Sequence, residues 1–281
     1  MTIKIGLTGS SGLIGSKLLE KFEQKYVFHK FIGNMNDLDD VNTFMKQDFD
    51  VTIHLASIVP KYDQDGLPIE QSFTDNIIGT ENICKKALEY NKKIIFTSTQ
   101  RVYKTKNNIS IRETDELEPD SDYGQSKLES EKKIQKYLPI HNFTILRISN
   151  IYGTYPKRPS IIDTIAESFI KDKSVKIGLF PEIFRDYIHI DDVLDSLELS
   201  LNKNGIFNVC YGDSYNVKNL IKIFENMFNK KSKISFGNYK PNNIFLDNNK
   251  ARNILNFKCK IDLHKGIQLT INKIKKELNQ I

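Results

Sequence analysis

The stretch that decides the fold is residues 3–15, which read IKIGLTGSSGLIG. The apolar run Ile3–Thr8 predicts a buried strand, and the residues that follow the glycines predict a helix. Strand, glycine loop and helix in this order are typical of a dinucleotide-binding site, although an ordinary strand-to-helix turn is the alternative. Gly9 would permit the tight turn, Gly12 would let a pyrophosphate approach the backbone, and Gly15 would let the helix pack close to the strand. The helix N-terminus would add amide donors.

The rest of the first half alternates between predicted strands and predicted helices. The strand segments are Tyr26–Phe31, Val51–Ala56, Lys93–Ser98 and Phe143–Ser149, and the main helices are Asp75–Tyr90 and Asp122–Tyr137. This alternation predicts an α/β protein with a Rossmann-type doubly wound parallel sheet and helices on both faces. His54 lies inside the third strand, where we expect a packed histidine rather than a catalytic one.

The pattern changes after about Asn150, where Pro156 and Pro159 interrupt the chain. We therefore expect a dinucleotide-binding domain over residues 1–155 and a smaller C-terminal substrate-binding lobe over 156–281, interwoven with the sheet. In this lobe the spacing predicts helices at Ser160–Lys171, Asp191–Leu201 and Val217–Asn229, strands near Val175–Gly178 and Ile206–Cys210, and two further helices that close the chain.

Composition narrows the class of protein. The 281 residues are 39% hydrophobic and 27% charged, which is typical of a globular chain, and the net charge is +6. The lysines are scattered through helices without an arginine-rich arm, so we expect no nucleic-acid partner. Three widely separated cysteines predict neither a disulfide framework nor a metal site. Without an apolar run of membrane-spanning length or a signal segment, we expect a cytoplasmic protein with no membrane partner.

The end of the second strand bears on the choice of cofactor. NAD-binding folds usually place an acidic residue there to receive the adenosine ribose, but this chain has His29 and Lys30 instead. Lys30 would suit the 2′-phosphate of NADP(H), or it is a solvated surface lysine. Asp37 lies where the next loop would cross the adenine. The cofactor is therefore expected to be NAD or NADP(H), with the choice open.

A second stretch, YGQSK at residues 123–127, carries candidate chemistry. Tyr123 and Lys127 are one helical turn apart on the same face, so the ammonium would stabilise the phenolate. A phenol that ionises readily can take or give a proton beside a carbinol that is being oxidised. The same spacing also occurs by chance at an exposed helix start, so the pair needs support from the rest of the chain.

That support comes from the order of the motifs. They are TGSSGLIG at 8–15, HLA at 54–56, TSTQRVY at 97–103, the Tyr123–Lys127 pair, RxxNxYG at 147–153 and RDYIHIDDV at 185–193. As an ordered set they resemble the extended short-chain dehydrogenase/reductase family, in its NAD-dependent nucleotide-sugar epimerase/dehydratase branch. The resemblance covers essentially the whole chain.

The resemblance implies roles for single residues. Tyr123 would be the general acid/base, and Lys127 would be its charge partner and a ligand of the nicotinamide ribose. Thr99 would hydrogen-bond the reacting sugar oxygen, with the neighbouring Ser98 as the alternative. The implied cofactor contacts are Gly9, Ser11, Gly12, Leu13, Ile14, Gly15, Leu55 and Ala56.

Further positions are implied around these. Asn76 would brace the cofactor face. Asn150 and Arg185 would reach toward the phosphates and base of a nucleotide-diphosphate sugar, although Asn150 would equally well tie down the loop after the fifth strand. Lys240 occupies the place of a later arginine of the family, and we take it as a substrate-binding candidate.

The departures from the family pattern limit the reaction. Gln100 and Arg101 replace the acidic pair that 4,6-dehydratases of this branch use for elimination, which disfavours a dehydratase. A 4-keto-sugar reductase in surface polysaccharide precursor synthesis is favoured by the short lobe and the basic end of the second strand. The alternatives are a 4-epimerase with tightly bound NAD and a non-catalytic cofactor-binding relative. The family also implies a homodimer formed through the helices Asp75–Tyr90 and Asp122–Tyr137.

Overall fold

The computed structural model of the chain describes residues 2–62, 68–69, 72–105, 110–153 and 159–279. Its strands are β1 (Lys4–Thr8), β2 (Val27–Lys30), β3 (Val51–His54), β4 (Lys61–Tyr62), β5 (Pro68–Ile69), β6 (Lys93–Thr99), β7 (Ser110–Ile111), β8 (Phe143–Ile148), β9 (Asn150–Tyr152), β10 (Val175–Leu179), β11 (Phe184–His189), β12 (Gly205–Val209), β13 (Ser214–Asn216), β14 (Ile234–Tyr239) and β15 (Phe245–Leu246). Its α-helices are α1 (Leu13–Phe22), α2 (Leu38–Met45), α3 (Thr74–Glu89), α4 (Asp122–Tyr137), α5 (Ile161–Lys171), α6 (Ile190–Leu199), α7 (Val217–Phe228) and α8 (Leu263–Leu278).

The central sheet has six strands in the order β12-β8-β6-β3-β1-β2. Every neighbouring pair in it is parallel. The α/β prediction with a doubly wound parallel sheet is therefore confirmed. The chain runs from β1 to β2 on one side and then returns to β3 on the other, so the winding direction reverses at β1. Open sheets of this kind bind ligands in the crevice at such a switch point, beyond the carboxyl ends of the strands.

Helices cover both faces of this sheet because both faces of its strands are apolar. On one face, Leu18 of α1 and Leu194 of α6 pack against Ile5 and other strand residues. On the other face, Phe44 of α2 and Ile134 of α4 belong to a second core. Buried parallel strands need such double cover, since neither face can be left in water. Among the residues described, no helix combines the length and the apolar character needed to cross a membrane.

The second half of the chain contributes both to the sheet and to a separate lobe. The strand β12 pairs with β8 as the edge strand of the central sheet. The helices α5, α7 and α8 instead share a core of their own around Ile165, Phe224 and Ile267. The two parts are thus interleaved along the chain. The expected boundary at residues 155/156 lies outside the described residues and stays a prediction.

The lobe differs from the sequence-based expectation in its closing helices and in the strands β11, β13, β14 and β15, none of which is predicted. The strand β14 pairs in parallel with β10, although no strand is expected there. Its residues are half-buried or exposed, so it has no apolar run to predict it. Two closing helices are expected, whereas the structure has a π-helical segment at Ala251–Leu255 followed by the single long helix α8.

Candidate active site

The glycine loop between β1 and α1 has the geometry of a phosphate cradle. Gly9 has a φ of +69°, and a Cβ there would lie 2.6 Å from the main-chain nitrogen of Ala56. A Cβ on Gly15 would lie 2.2 Å from the carbonyl oxygen of Gly9. Gly12 is the N-cap of α1 and offers no side chain to cap it. The first turn of α1 is therefore left for an anionic ligand, and these residues fit the pyrophosphate of a dinucleotide.

A chain of buried hydrogen bonds fixes the strands that hold this loop. The hydroxyl of Thr8 accepts hydrogen bonds from the main-chain nitrogens of Leu55 and Ala56, at 3.2 and 3.1 Å. It also lies 2.8 Å from Nδ1 of His54, whose Nε2 lies 3.0 Å from the hydroxyl of Thr80. Burial lowers the pKa of His54 to about 3, with a contribution from the positive charge of Lys127. His54 is thus a neutral packed residue that ties β1, β3 and α3 together.

Asn76 braces the loop that follows β3. Its Oδ1 accepts a hydrogen bond of 2.7 Å from the main-chain nitrogen of Ile58, and its Nδ2 donates one of 2.9 Å to the carbonyl oxygen of the same residue. The side chain is buried at the start of α3. Ser57 and Val59, on either side of Ile58, line a cavity beside the glycine loop. A role of Asn76 toward a cofactor stays a prediction.

Two adjoining cavities open at this edge of the sheet. The first, of about 440 Å³, is lined by the predicted residues Gly9, Ser11, Gly12, Leu13, Ile14, Gly15, Leu55, Ser98, Thr99, Tyr123 and Lys127. The second, of about 480 Å³, is lined by residues of the lobe and of the sheet, among them Arg101, Asn150, Lys176, Arg185 and Tyr187. Tyr123 lines both cavities. Tyr123 therefore lies at the boundary of the two cavities, together with Leu13, Val59, Ser149 and Ile151.

Lys127 is buried beside this tyrosine. Its Nζ donates a hydrogen bond of 3.0 Å to the carbonyl oxygen of Thr97. It lies 4.6 Å from the ring centre of Phe96 and 6.0 Å from that of Tyr123. Burial lowers the pKa of Lys127 to about 7, although the negative charge of Glu131 acts in the opposite direction. The ammonium is thus held close to the phenol in an environment that penalises its charge.

The two hydroxyl candidates at the end of β6 have different surroundings. Ser98 is buried, and its hydroxyl donates a hydrogen bond to the carboxylate of Glu131. Thr99 is only partly buried, and its Oγ1 accepts a hydrogen bond of 3.3 Å from the main-chain nitrogen of Arg101. Accepting that bond leaves the hydroxyl proton of Thr99 for another acceptor. The geometry therefore favours Thr99 over Ser98 for a contact with a ligand oxygen.

The two predicted adenosine contacts lie farther out. Lys30 is the exposed last residue of β2, at the carboxyl edge of the sheet. Asp37 is the N-cap of α2, where its carboxylate accepts hydrogen bonds from the main-chain nitrogens of Asp39 and Asp40. Neither residue lines the first cavity. Their roles in binding the cofactor stay predictions, and for Asp37 the observed contact is that of a helix cap.

Arg185, which lines the second cavity, is buried with its guanidinium held by main-chain carbonyl oxygens. Its Nη1 donates to the oxygens of Phe184 and Asn242, at 2.7 and 3.0 Å. Burial lowers the pKa of Arg185. Asn150 also lines this cavity, and its Nδ2 donates a hydrogen bond of 2.9 Å to the carbonyl oxygen of Asp186.

Lys240, the remaining substrate-binding candidate, is placed differently. Its side chain is exposed, and its Nζ lies 3.9 Å from the ring centre of Phe180. Its neighbours Tyr239 and Pro241 line the second cavity, but Lys240 does not. Any contact of this lysine with a ligand is therefore at the rim.

Asp186 of the RDYIHIDDV motif makes structural contacts. Asp186 accepts hydrogen bonds from the hydroxyl of Ser149 and from the main-chain nitrogens of Tyr211 and Gly212, at 2.7, 3.0 and 2.7 Å. Burial raises the pKa of Asp186 to about 6, while these hydrogen bonds oppose the rise. The carboxylate ties the end of the sheet to β11, and so it positions Arg185 next to it in the chain.

Sequence reasoning missed a buried charged cluster behind the site. Glu131 of α4 and Arg147 of β8 form an ion pair of 2.7 Å. Arg147 also donates to the hydroxyl of Tyr103 and to the carbonyl oxygen of Glu113. The spacing of Tyr123, Lys127 and Glu131, each four residues apart, was the available signal, because it predicts one shared helix face.

Comparison with known proteins identifies the class. Residues 5–210 match the model of the NAD dependent epimerase/dehydratase family. The chain therefore belongs to this family, and the resemblance drawn from the motifs is confirmed. The family comprises NAD-dependent enzymes, which agrees with the cradle formed by the glycine loop.

Individual relatives carry different activities in their names. The chain is 28% identical to a putative UDP-glucose 4-epimerase of Methanocaldococcus jannaschii, across 96% of this chain and 97% of that protein. It is 30% identical to a dTDP-4-dehydro-6-deoxyglucose reductase of Escherichia coli, across 79% of this chain and 74% of that protein. Its fold matches that of a Thermotoga maritima UDP-glucose 4-epimerase solved with UDP-glucose, with a TM-score of 0.82, 23% identity, and coverage of 98% and 100% of the two chains.

Proposed function

We propose that this chain is an NAD-dependent enzyme that oxidises and reduces a hexose carbon, C4, of a nucleotide-diphosphate sugar. The observation that carries the proposal is the position of Tyr123, which lines the glycine-loop cavity and the adjoining lobe cavity at once. Within this class we put a 4-epimerase first, because two relatives that match over almost their whole length are named as UDP-glucose 4-epimerases.

The residues of the chain divide the work as follows. When bound, the nicotinamide would supply the acceptor and donor of the two electrons. The phenolate of Tyr123 would remove the proton from the sugar hydroxyl and later return it, while the hydroxyl of Thr99 donates a hydrogen bond to the same oxygen. Lys127 would stabilise the phenolate from inside the protein, where water does not screen its charge. The glycine loop would hold the pyrophosphate at the N-terminus of α1.

The far end of the substrate would lie in the second cavity. The buried guanidinium of Arg185 has donors beyond those used by the two carbonyl oxygens, and a diphosphate is a suitable acceptor for them. Asn150, in the wall of this cavity, would help to keep the sugar ring beside Tyr123. The loop held by Asn76 would do the same. These contacts would fix the carbinol carbon relative to the cofactor, which is most of what the protein must supply.

A 4-keto-sugar reductase is the second candidate. It is favoured by Lys30, the basic and exposed residue at the end of β2 where NAD-binding folds usually have an acid. A reductase exchanges its cofactor at each turnover, whereas an epimerase keeps it and recycles it.

The amount of reduced cofactor consumed per product distinguishes a 4-epimerase from a 4-keto-sugar reductase. The purified protein is incubated with UDP-glucose, UDP-galactose and the corresponding 4-keto sugars, with and without added NADH or NADPH, and products are identified by NMR. An epimerase interconverts the two UDP-hexoses without net consumption of reduced cofactor. A reductase consumes one reduced cofactor for each 4-keto sugar. Failure to convert any nucleotide sugar under either condition would reject the proposal.

We also propose that the enzyme is a homodimer. The helices α3 and α4 pack side by side, and Ile78 and Leu88 of α3 are exposed although they are large and apolar. Light scattering at micromolar concentration would give a dimer mass, and a monomer mass would contradict this expectation.

A further inference from the structure

Glu131 lies one helical turn after Lys127 on α4, a spacing at which a lysine and a glutamate are able to pair. No such pair forms here. Among the residues that the structure describes, no carboxylate lies within ion-pair distance of Lys127, whose Nζ donates at 3.0 Å to the carbonyl oxygen of Thr97. The two opposite charges are thus adjacent along the helix face but are held apart.

The carboxylate of Glu131 is occupied by other donors. Its Oε1 accepts hydrogen bonds from the hydroxyl of Ser98 and, at 3.1 Å, from Nε of Arg147. Its Oε2 accepts bonds of 3.2 and 2.7 Å from Nε and Nη2 of Arg147. A carboxylate offers about four acceptor positions, so these donors leave little capacity for an ammonium. Water does not compete, because the side chains of Glu131 and Arg147 are 0% and 1% exposed.

Arg147 is held in place by groups other than Glu131. Its Nη1 donates to the hydroxyl of Tyr103 and to the carbonyl oxygen of Glu113, at 2.9 and 3.1 Å. The guanidinium also lies 4.8 Å from the ring centre of Tyr103, whose hydroxyl donates to Asn208. The planar fork of donors is therefore fixed in a position that suits a carboxylate.

The end of β6 binds the two charges at separate points. Thr97 accepts from Lys127 through its carbonyl oxygen, and the next residue, Ser98, donates to Glu131 through its hydroxyl. Thr99, the candidate for a contact with a ligand oxygen, follows directly. All three strand residues line the first cavity. The separation of the two charges is therefore built into the strand end that borders the candidate active site.

The groups around Lys127 on its own helix and on the sheet are of different kinds. Burial lowers the pKa of Lys127 to about 7, and the negative charge of Glu131 opposes this decrease. His54 of β3 is neutral, because burial lowers its pKa to about 3. Arg147 of β8 contacts the carboxylate rather than the ammonium. The ring centre of Tyr123 lies 6.0 Å from Nζ of Lys127.

The other elements packed against α4 are α3 and the short turn after β6. On α3, the carboxylate of Glu81 pairs with Lys133 at 2.6 Å. In the turn, Arg101 lines the second cavity. Among the described residues, Glu131 is therefore the charged group that acts on the pKa of Lys127. A change in the partners of this carboxylate would act directly on the lysine.

We infer that Arg147 is a positioning residue that withholds the carboxylate of Glu131 from Lys127. Ser98 assists it. The ammonium thereby stays unpaired, and its charge acts on the phenol of Tyr123. An ammonium paired with a carboxylate would act on the phenol only as a dipole, whose field is weaker than that of a single charge. The inference rests on the proposed function and adds a residue that affects the reaction without touching the substrate.

The test follows the protonation of Lys127 itself. Protein with lysine isotope-labelled at Cε, with NAD added, is titrated by NMR from about pH 5 to about pH 11. The signal of Lys127 is assigned by its absence in Lys127→Met. In wild type it should titrate near pH 7. In Arg147→Met it should titrate about 2 pH units higher, because the released carboxylate favours the charged lysine.

Further variants assign the shift to the carboxylate. In Glu131→Gln/Arg147→Met no carboxylate is left to pair, so Lys127 should titrate at or below the wild-type value. Arg147→Lys keeps a cation beside Glu131 and should recover part of the shift. Ser98→Ala leaves the ion pair in place and should raise the pKa of Lys127 by less than about 1 unit. It provides the test if Arg147→Met does not fold.

The same change should appear in the pH dependence of turnover, measured with UDP-glucose or, if wild type reduces it, with the corresponding 4-keto sugar. In Arg147→Met the lysine keeps its proton to higher pH, so the alkaline limb of kcat/KM should move up by about 2 pH units. Turnover at pH 7 should fall by less than about tenfold. An arginine with only a structural role would lower the amount of folded protein without moving this limb.

Three results would overturn the inference. The first is an unchanged titration of Lys127 in folded Arg147→Met or, if that variant does not fold, in Ser98→Ala. The second is an equal rise in Arg147→Met and in Glu131→Gln/Arg147→Met, because the effect would then not pass through the carboxylate. The third is no recovery in Arg147→Lys. The titration needs no substrate, so these results are distinct from an absence of turnover in wild type, which would reject the proposed function.

Discussion

Two buried cations lie near the same face of α4, and they have opposite surroundings. Lys127 donates its described hydrogen bond to the carbonyl oxygen of Thr97, and burial lowers its pKa to about 7. Arg147 receives the carboxylate of Glu131 at 2.7 Å. Burial alone would lower the pKa of Arg147, but the hydrogen bonds and charge of Glu131 outweigh it and raise that pKa above its usual value.

This contrast is informative because the sequence spacing would allow Glu131 to pair with Lys127. It is four residues after Lys127 on one helix, a spacing that commonly forms an ion pair. Its carboxylate instead goes to Arg147 and to the hydroxyl of Ser98. A buried charge without a carboxylate partner is costly for the fold, and such costs are typical of functional sites. A fully paired charge is typical of structure.

The largest effect is expected from replacing the tyrosine near each cation, which is Tyr123 for Lys127 and Tyr103 for Arg147. Tyr123→Phe should lower turnover by about a thousandfold, since it removes the general acid/base, and should leave the melting temperature nearly unchanged. Tyr103→Phe is the matched control. It removes the hydroxyl that contacts Arg147 and Asn208, at 2.9 and 2.6 Å.

The control should reverse the pattern. Tyr103→Phe should cost about 1–3 kcal/mol of unfolding free energy while the folded protein keeps its turnover. Steady-state kinetics and chemical denaturation of both variants provide the measurement. Equal loss of turnover in the two variants would mean that the phenol of Tyr123 has no special part in the reaction.

The next effect concerns the ion pair. Glu131→Gln should destabilise the protein by about 3–5 kcal/mol, because it leaves the buried guanidinium of Arg147 without a counter-charge. Glu129→Gln, on the same helix, removes a partly exposed carboxylate that pairs with Lys132. It should change stability by less than about 0.5 kcal/mol, as surface pairs usually do. Urea unfolding of both variants measures the change in unfolding free energy. Similar small decreases in the two variants would contradict the structural role of Glu131.

A smaller, pH-dependent effect is expected at Lys127. The folded state holds its pKa near 7, below the unfolded value of about 10.5, so the unfolded chain binds more protons between these values. The burial cost of this lysine is therefore full below pH 7 and disappears as the pH rises toward 10.5. Lys127→Met should stabilise the cofactor-free protein by about 2 kcal/mol at pH 7, and the gain should shrink by pH 9. A gain that grows with pH would contradict the assigned direction of the shift.

The sequence allowed the fold and the centre of the site to be predicted because their signals are local. The glycine loop stands between an apolar strand and a helix, and the alternation of strands and helices predicts the parallel sheet. The helix Asp122–Tyr137 has the predicted bounds, and Tyr123 and Lys127 share one face because the helical period requires it.

The remainder depends on contacts between distant residues. No local sequence pattern indicates that Glu131 pairs with Arg147 from β8. Nor does one indicate that the hydroxyl of Ser98 donates to the same carboxylate, whereas that of Thr99 does not. The partners of such side chains depend on tertiary packing, which cannot be read from the order of residue types.

The most direct test of the central claim measures turnover and stability together for Lys127→Met and Arg147→Met. We expect turnover and stability of the two variants to change in opposite directions. Lys127→Met should lose most of its turnover while it unfolds at higher urea concentration at pH 7. Arg147→Met should lose about 3–5 kcal/mol of unfolding free energy. Its turnover should stay within about tenfold of the wild-type value when folded protein is assayed. If instead both variants lose stability and keep turnover, Lys127 is a structural lysine and the site described here is not the active site.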